Sequence, residues 1–177
     1  MVYHNFHHTL NVVRGVRNIS KHLHIFEEQR EILVLAAWFH DSGHIKTYKG
    51  HERESQQLAK VFLERHHYPA EKIAEVLACI GATQMPQHPQ NLLQRVICDA
   101  DLFHLSLPEY PHLQHQLRQE WRRVFNKTYT EDEWLEENLS FLEHHQYFTT
   151  FGQEVLQKRK LKNIEKCIHL KEESIHI

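Results

Sequence analysis

Eight consecutive apolar residues, Ile32-Leu-Val-Leu-Ala-Ala-Trp-Phe39, run straight into the pair His40-Asp41. The run is far short of a bilayer span, and a helix this apolar belongs inside a core, buried on nearly all sides. A carboxylate placed at its end is costly to bury without a partner. The chain must therefore bring counter-groups to Asp41. Two are in prospect: His8 on an earlier apolar face, and an aspartate, Asp99 or Asp101, after the later run Val96-Ile-Cys98. A histidine, a His-Asp doublet and a distant aspartate can close around one divalent metal, with Asp41 free to reach a second.

Only 5 Gly and 5 Pro interrupt 177 residues, so long helices are expected. His8, Val12, Val16 and Ile19 recur at helical spacing over residues 4–24 and turn His8 inward. Helices are expected over 27–41, ended by Ser42-Gly43, and over 51–67, with His51, Ser55, Leu58 and Phe62 on its inner face. A further helix, opened by Pro69, should run to Ile80 on Ile73, Val76, Leu77 and Ile80. The prolines of Gln84-Met-Pro-Gln-His-Pro89 make a loop. The next helix, from Leu92, delivers Asp99 and Asp101. Thr130 and Glu133 form a capping box before Trp134, Leu135, Leu139 and Leu142, and a last helix spans about 149–168. Its stretch Lys158-Arg-Lys-Leu-Lys162 reads as a solvated face. No strand-like alternation or linker interrupts this pattern. The expectation is one all-α domain over 1–177, a compact bundle of seven to eight helices, with the chemistry in about 3–105 and further helices over about 109–170.

A net charge of −2 argues against an electrostatic nucleic-acid surface. Three scattered cysteines without a CxxC spacing read as reduced thiols. With neither a signal sequence nor a membrane-length run, the expectation is a cytoplasmic protein with no membrane partner. Tyr3-His4-Asn5 at the start of the first helix raises the expectation that a further segment or partner covers that end, and a homo-oligomer is possible.

Imidazole and carboxylate ligands suit Mn, Fe, Co, Ni, Zn or Mg, with one or two ions per chain. A bound ion acidifies its water and polarises a phosphoryl oxygen. Singly, each residue has an ordinary explanation: His8 as a satisfied core histidine, Asp101 as a helix cap. Together they point to a metal site.

The ordered set His8, His40-Asp41 and Asp101, in the settings Ala-Ala-Trp-Phe-His-Asp-Ser-Gly and Asp-Ala-Asp-Leu, resembles the HD superfamily of metal-dependent phosphohydrolases. The resemblance implies that His8, His40, Asp41 and Asp101 hold the first metal. It selects Asp101 over Asp99, because the family's ligand lies in the Ala-Asp pair before leucine. Tyr3-His4-Asn5 followed by His8, and His40-Asp-Ser-Gly-His44, are similar to cyclic-nucleotide phosphodiesterases of the same superfamily, whose first histidine protonates the leaving oxygen. This implies His4 as acid, four residues before His8 on one helix face. Those enzymes are much longer and their base-recognition helices have no counterpart here, so their specificity is not carried over. His51-Glu-Arg-Glu-Ser55 resembles an HExxS segment of small bacterial members and makes His51 a ligand of a second metal. Glu52 either orients a water or ligand hydroxyl or lies exposed in the first helical turn. His44 is placed to bind phosphate or protonate a leaving group. Five- and six-ligand relatives carry a further histidine where this chain has Thr83, and His88 could replace it if the proline loop folded back.

The expected function is hydrolysis of a small phosphorylated metabolite, a nucleotide first among them, with catalytic His4, His44 and Asp41. A dinuclear iron oxygenase and a non-catalytic nucleotide-sensing module are the alternatives.

Overall fold

In the computed structural model, which describes residues 1–175, eight α-helices form and no strand is present among the described residues. By packing, the chain divides into two compact units, His4–Leu102 and the remainder, Met1–Tyr3 with the chain from Phe103 onward.

The His4–Leu102 unit holds α1 (Phe6–His22), α2 (Glu27–Phe39), α3 (His51–Arg65), α4 (Ala70–Ala82) and α5 (Leu92–Asp101). Helix α2 packs on α1, α3, α4 and α5, because its Ile32, Leu33, Ala36 and Ala37 are all buried. It is not apolar on every side in use: Trp38 is 40% exposed, since the helix reaches the surface at its last turn. Asn5 sets the start of α1. Its backbone is extended and its side chain accepts hydrogen bonds from the amides of His7 and His8, a capping geometry that asparagine favours. His4 therefore stands before the helix, not four residues back along its face as the spacing implied.

Helix α3 is turned by one position from expectation. Ser55, Ala59 and Leu63 are its buried residues, while Phe62 is 47% exposed. The i, i+4 row from His51 carries small side chains in its middle, which lets α3 approach α4 and the turn that follows the doublet closely. In α4 the buried stripe is Ile73, Val76, Cys79 and Ile80. Asn91 caps α5 by accepting from the Gln94 amide at 3.0 Å.

The other unit contains α6 (Tyr110–Phe125), α7 (Glu131–His144) and α8 (Gln157–Ile175), the last preceded by a π-helical segment, Gly152–Leu156. The capping box of α7 forms as expected: Glu133 N–H donates to Thr130 Oγ1 at 3.2 Å, and Thr130 N–H donates to Glu133 Oε2 at 2.8 Å. Helix α8 extends past 168, and its buried row is Lys160, Asn163 and Cys167, continuing from Leu156 of the π-helical segment. The basic stretch is thus not wholly solvated, since Lys160 is completely buried. All three cysteines are free and buried. No helix among the described residues is long and apolar enough to cross a membrane.

Candidate metal centre

The doublet sits where α2 gives way to a 3-10 turn, Ser42–Ile45. Ser42 Oγ donates to the Phe39 carbonyl at 2.8 Å and closes the helix end. Gly43 then passes directly over the start of α3, its N–H donating to Ser55 Oγ at 2.8 Å. A Cβ on Gly43 would stand 2.0 Å from the His51 carbonyl oxygen and 2.7 Å from the Ser55 nitrogen, so only glycine allows this approach. The clasp brings the doublet from α2 against His51 from α3.

Asp41 faces two ways. Its Oδ2 lies 3.3 Å from His8 Nε2 and 3.2 Å from His40 Nε2. The two imidazole nitrogens are themselves 3.3 Å apart, and Asp101 Oδ1 lies 3.5 Å from each of them. Asp41 Oδ1 points to a second group, 3.1 Å from His51 Nε2 and 3.8 Å from His44 Nε2. Around that oxygen the rings crowd together. His44 stacks on His51 with centroids 3.7 Å apart, and His4 lies 4.5 Å from His44. Tyr48 walls the group, 4.9 Å from His44.

His40 Nδ1 donates to the Ala37 carbonyl at 2.8 Å, and His51 Nδ1 to the Tyr48 carbonyl at 3.0 Å. Each bond places a proton on Nδ1 and leaves the Nε2 lone pair directed at Asp41, the tautomer that a metal ligand requires.

The charge balance is that of a cation seat. Burial alone would lower the pKa of His40 and raise that of Asp41, yet both move the other way. The negative charges of Asp41 and Asp101 lift His40 well above its ordinary value against its burial. Against its own burial, Asp41 is held well below the usual carboxylate range by the His40 charge and by the His51 and His8 imidazoles beside it. His8 is raised and Asp101 lowered for the same reasons. The cluster thus demands positive charge at its centre.

A divalent ion fits that demand. Ligand atoms about 2.0–2.2 Å from one ion stand about 3.0–3.5 Å from their neighbours; the His8, His40 and Asp41 atoms lie 3.2–3.3 Å from one another, and Asp101 Oδ1 lies 3.5 Å from both imidazoles. Asp41 Oδ2 is buried and has no hydrogen-bond partner despite two imidazole nitrogens beside it. Two groups of converging atoms could each hold an ion: His8, His40 and Asp41, and His4, Asp41 and His44.

His4, His8, His40, His44 and His51 are thus drawn to Asp41, and Asp101 joins the group through His8 and His40. His44 is not a surface histidine: its side chain is 4% exposed. Glu52 is not an exposed first-turn residue either. Its side chain is 12% exposed, Oε1 lies 3.8 Å from His51 Nε2, and the buried Oε2 has no hydrogen-bond partner. Asp99 is fully buried but belongs to neither converging group. Thr83 caps α4, its Oγ1 donating to the Ile80 carbonyl at 2.8 Å. The proline loop does fold back, but it sends in Gln87 and leaves His88 exposed. Gln87 Nε2 donates to Asp101 Oδ2 at 3.2 Å. Neither Gln87 nor the tautomer-setting carbonyls of Ala37 and Tyr48 carry a sequence signal, since their partners are distant or use main-chain atoms.

The family described as HD domain matches residues 5–106 of this chain, a span that includes His8, His40-Asp41 and Asp101. No curated protein and no solved structure matches the chain.

Proposed function

The chain belongs to the HD superfamily of metal-dependent phosphohydrolases, and from that premise we propose that it hydrolyses a phosphoester of a small metabolite, a nucleotide first among the candidates. The observation that carries this reading is the two-sided Asp41 carboxylate, with His8 and His40 at one oxygen and His51 and His44 at the other. His8, His40, Asp41 and Asp101 would hold the ion, and His51 a second one beside Asp41 Oδ1. When bound, a divalent ion supplies an acidified water and a positive charge beside the phosphoryl oxygens.

The protein's own groups do the rest. Asp41 balances charge on both sides, and the α3 clasp holds it still. His4 precedes the helix and lies beside His44 and Tyr48, where its ring can give a proton to the leaving oxygen. His44, wedged between His4 and His51, keeps that ring in place and is the second candidate acid. Glu52, with one buried carboxylate oxygen unengaged, is placed to accept a hydrogen bond from a water or a substrate hydroxyl.

The reading is tested by Mn²⁺-dependent hydrolysis of a chromogenic phosphodiester beside the matching monoester, with Asp41→Ala as control. Activity on either ester that is lost in the variant supports it, and selectivity for the diester supports His4 as acid. Undiminished turnover in Asp41→Ala would sink it. The oxygenase alternative loses support from Thr83, whose hydroxyl is already bonded to its own helix.

A further inference from the structure

We propose that Gln87 is a positioning residue for Asp101, fixing which carboxylate oxygen is presented to the cation seat; the inference rests on the metal reading above. Asp101 is the last residue of α5, where the carbonyl end of the helix disfavours a carboxylate. It is held there all the same, with one oxygen on each of two errands. Oδ1 lies 3.5 Å from His8 Nε2 and His40 Nε2, and Oδ2 accepts from Gln87 Nε2 at 3.2 Å. A carboxylate that rotated would exchange these oxygens or offer both; the amide holds it in one orientation.

Three features suit Gln87 to this task. Its side chain is buried, so the bond is shielded from water. The amide is neutral, and so steadies the carboxylate without cancelling the charge that attracts a cation, as a lysine or arginine would. The loop that carries it is braced: Pro86 and Pro89 flank the Gln87-His88 pair, Gln90 N–H donates to Gln94 Oε1 at 2.7 Å, and Gln90 Nε2 donates to the His88 carbonyl at 2.8 Å. Partners that orient metal ligands typically govern affinity by 10- to 100-fold.

The test is titration calorimetry of Mn²⁺ into the metal-free full chain, for the wild type, Gln87→Leu and Gln87→Met, together with the thermal midpoint of each metal-free protein. Leucine keeps the bulk and removes the donor; methionine keeps the length of the side chain and is equally neutral. Both variants should bind Mn²⁺ 10- to 100-fold more weakly, with metal-free midpoints close to wild type. Wild-type affinity in both variants, or a lowered midpoint with unchanged affinity, would overturn the positioning role. Should the leucine variant fail to fold, the methionine variant decides. A wild type that binds no Mn²⁺ would overturn the metal reading itself, and this inference with it.

Discussion

Each of the two units buries ionisable side chains, and they settle the charge in opposite ways. Around Asp41, imidazoles and carboxylates lie within 3.1–3.5 Å of each other. Their mutual attraction outweighs burial, so the histidines move up and the aspartates down. In the other unit Lys160 is completely buried, yet its Nζ meets no carboxylate among the described residues. It donates to the His145 carbonyl, lies 3.5 Å from His145 Nδ1 and 5.8 Å from the Tyr147 ring centroid. Burial there goes unopposed and pushes the lysine down to about 8. The lesson is that burial alone does not mark a functional site. A binding centre is distinguished by several groups of complementary charge aimed at one point, whereas a solitary buried cation is a structural cost.

The sharpest way to break this comparison is Asp41→Ala. It removes the carboxylate shared by both groups, so Mn²⁺ retention and turnover should both fall by at least about a thousandfold, the scale of lost charge stabilisation. Calorimetry and the ester assay check this. His4→Ala comes next. It should leave Mn²⁺ affinity within a few fold while lowering kcat by about 10²–10⁴, the usual contribution of a positioned acid. A matching loss of affinity would make His4 a ligand instead.

Gly43→Ala tests the clasp. The added Cβ would meet the main chain of His51 and Ser55, where nothing flexible can yield, and such overpacking costs about 1–3 kcal/mol. A lower urea midpoint with a weakened metal site is expected. An unchanged midpoint would mean that α3 can withdraw freely from the doublet turn.

Lys160→Met gives the smallest effect and the opposite sign. Replacing a buried charge by an apolar side chain of similar volume is often neutral or stabilising, and a gain of about 1 kcal/mol is expected at pH 7. The pH dependence follows from the direction of the shift. The folded lysine titrates near 8 and the unfolded one near about 10.4. Between these values the folded chain binds fewer protons, so this residue's contribution to stability rises with pH. The advantage of Lys160→Met should therefore be full below pH 8 and shrink towards pH 10.4. Denaturant midpoints of both proteins at pH 7, 9 and 10 measure it, and a pH-independent difference would show that Lys160 is charged throughout.

Much of the site was legible because its residues announce themselves locally. His40-Asp41 after eight apolar residues demands a partner wherever it folds, and the helical spacing of His8 and His51 turns them inward. Pro69 and the Thr130–Glu133 box likewise mark helix starts by chemistry confined to a few residues. Misreadings came where a local pattern left two answers open. His4 at i−4 from His8 was compatible with a helix, but Asn5 takes the cap and ends it there. Leu58 and Phe62 read as continuing the inner row of α3 from His51 and Ser55, yet Ala59 and Leu63 take that place, the small Ala59 because close packing needs it. In Lys158-Arg-Lys-Leu-Lys162 the run of like charges hid a lysine on the buried row of α8.

By itself, then, the sequence determined the all-helical class and picked out the histidines that gather at Asp41 as candidate ligands, since hydrophobic period and residue chemistry are properties of short stretches of chain. The tertiary structure alone decided that Asp41 serves two groups, one through each oxygen, that Glu52 and His44 turn inward, and that Gln87 rather than His88 reaches the centre. Those outcomes depend on the rotation of helices and the path of loops, which are set by distant surfaces packing together and leave no mark in the local order of residues.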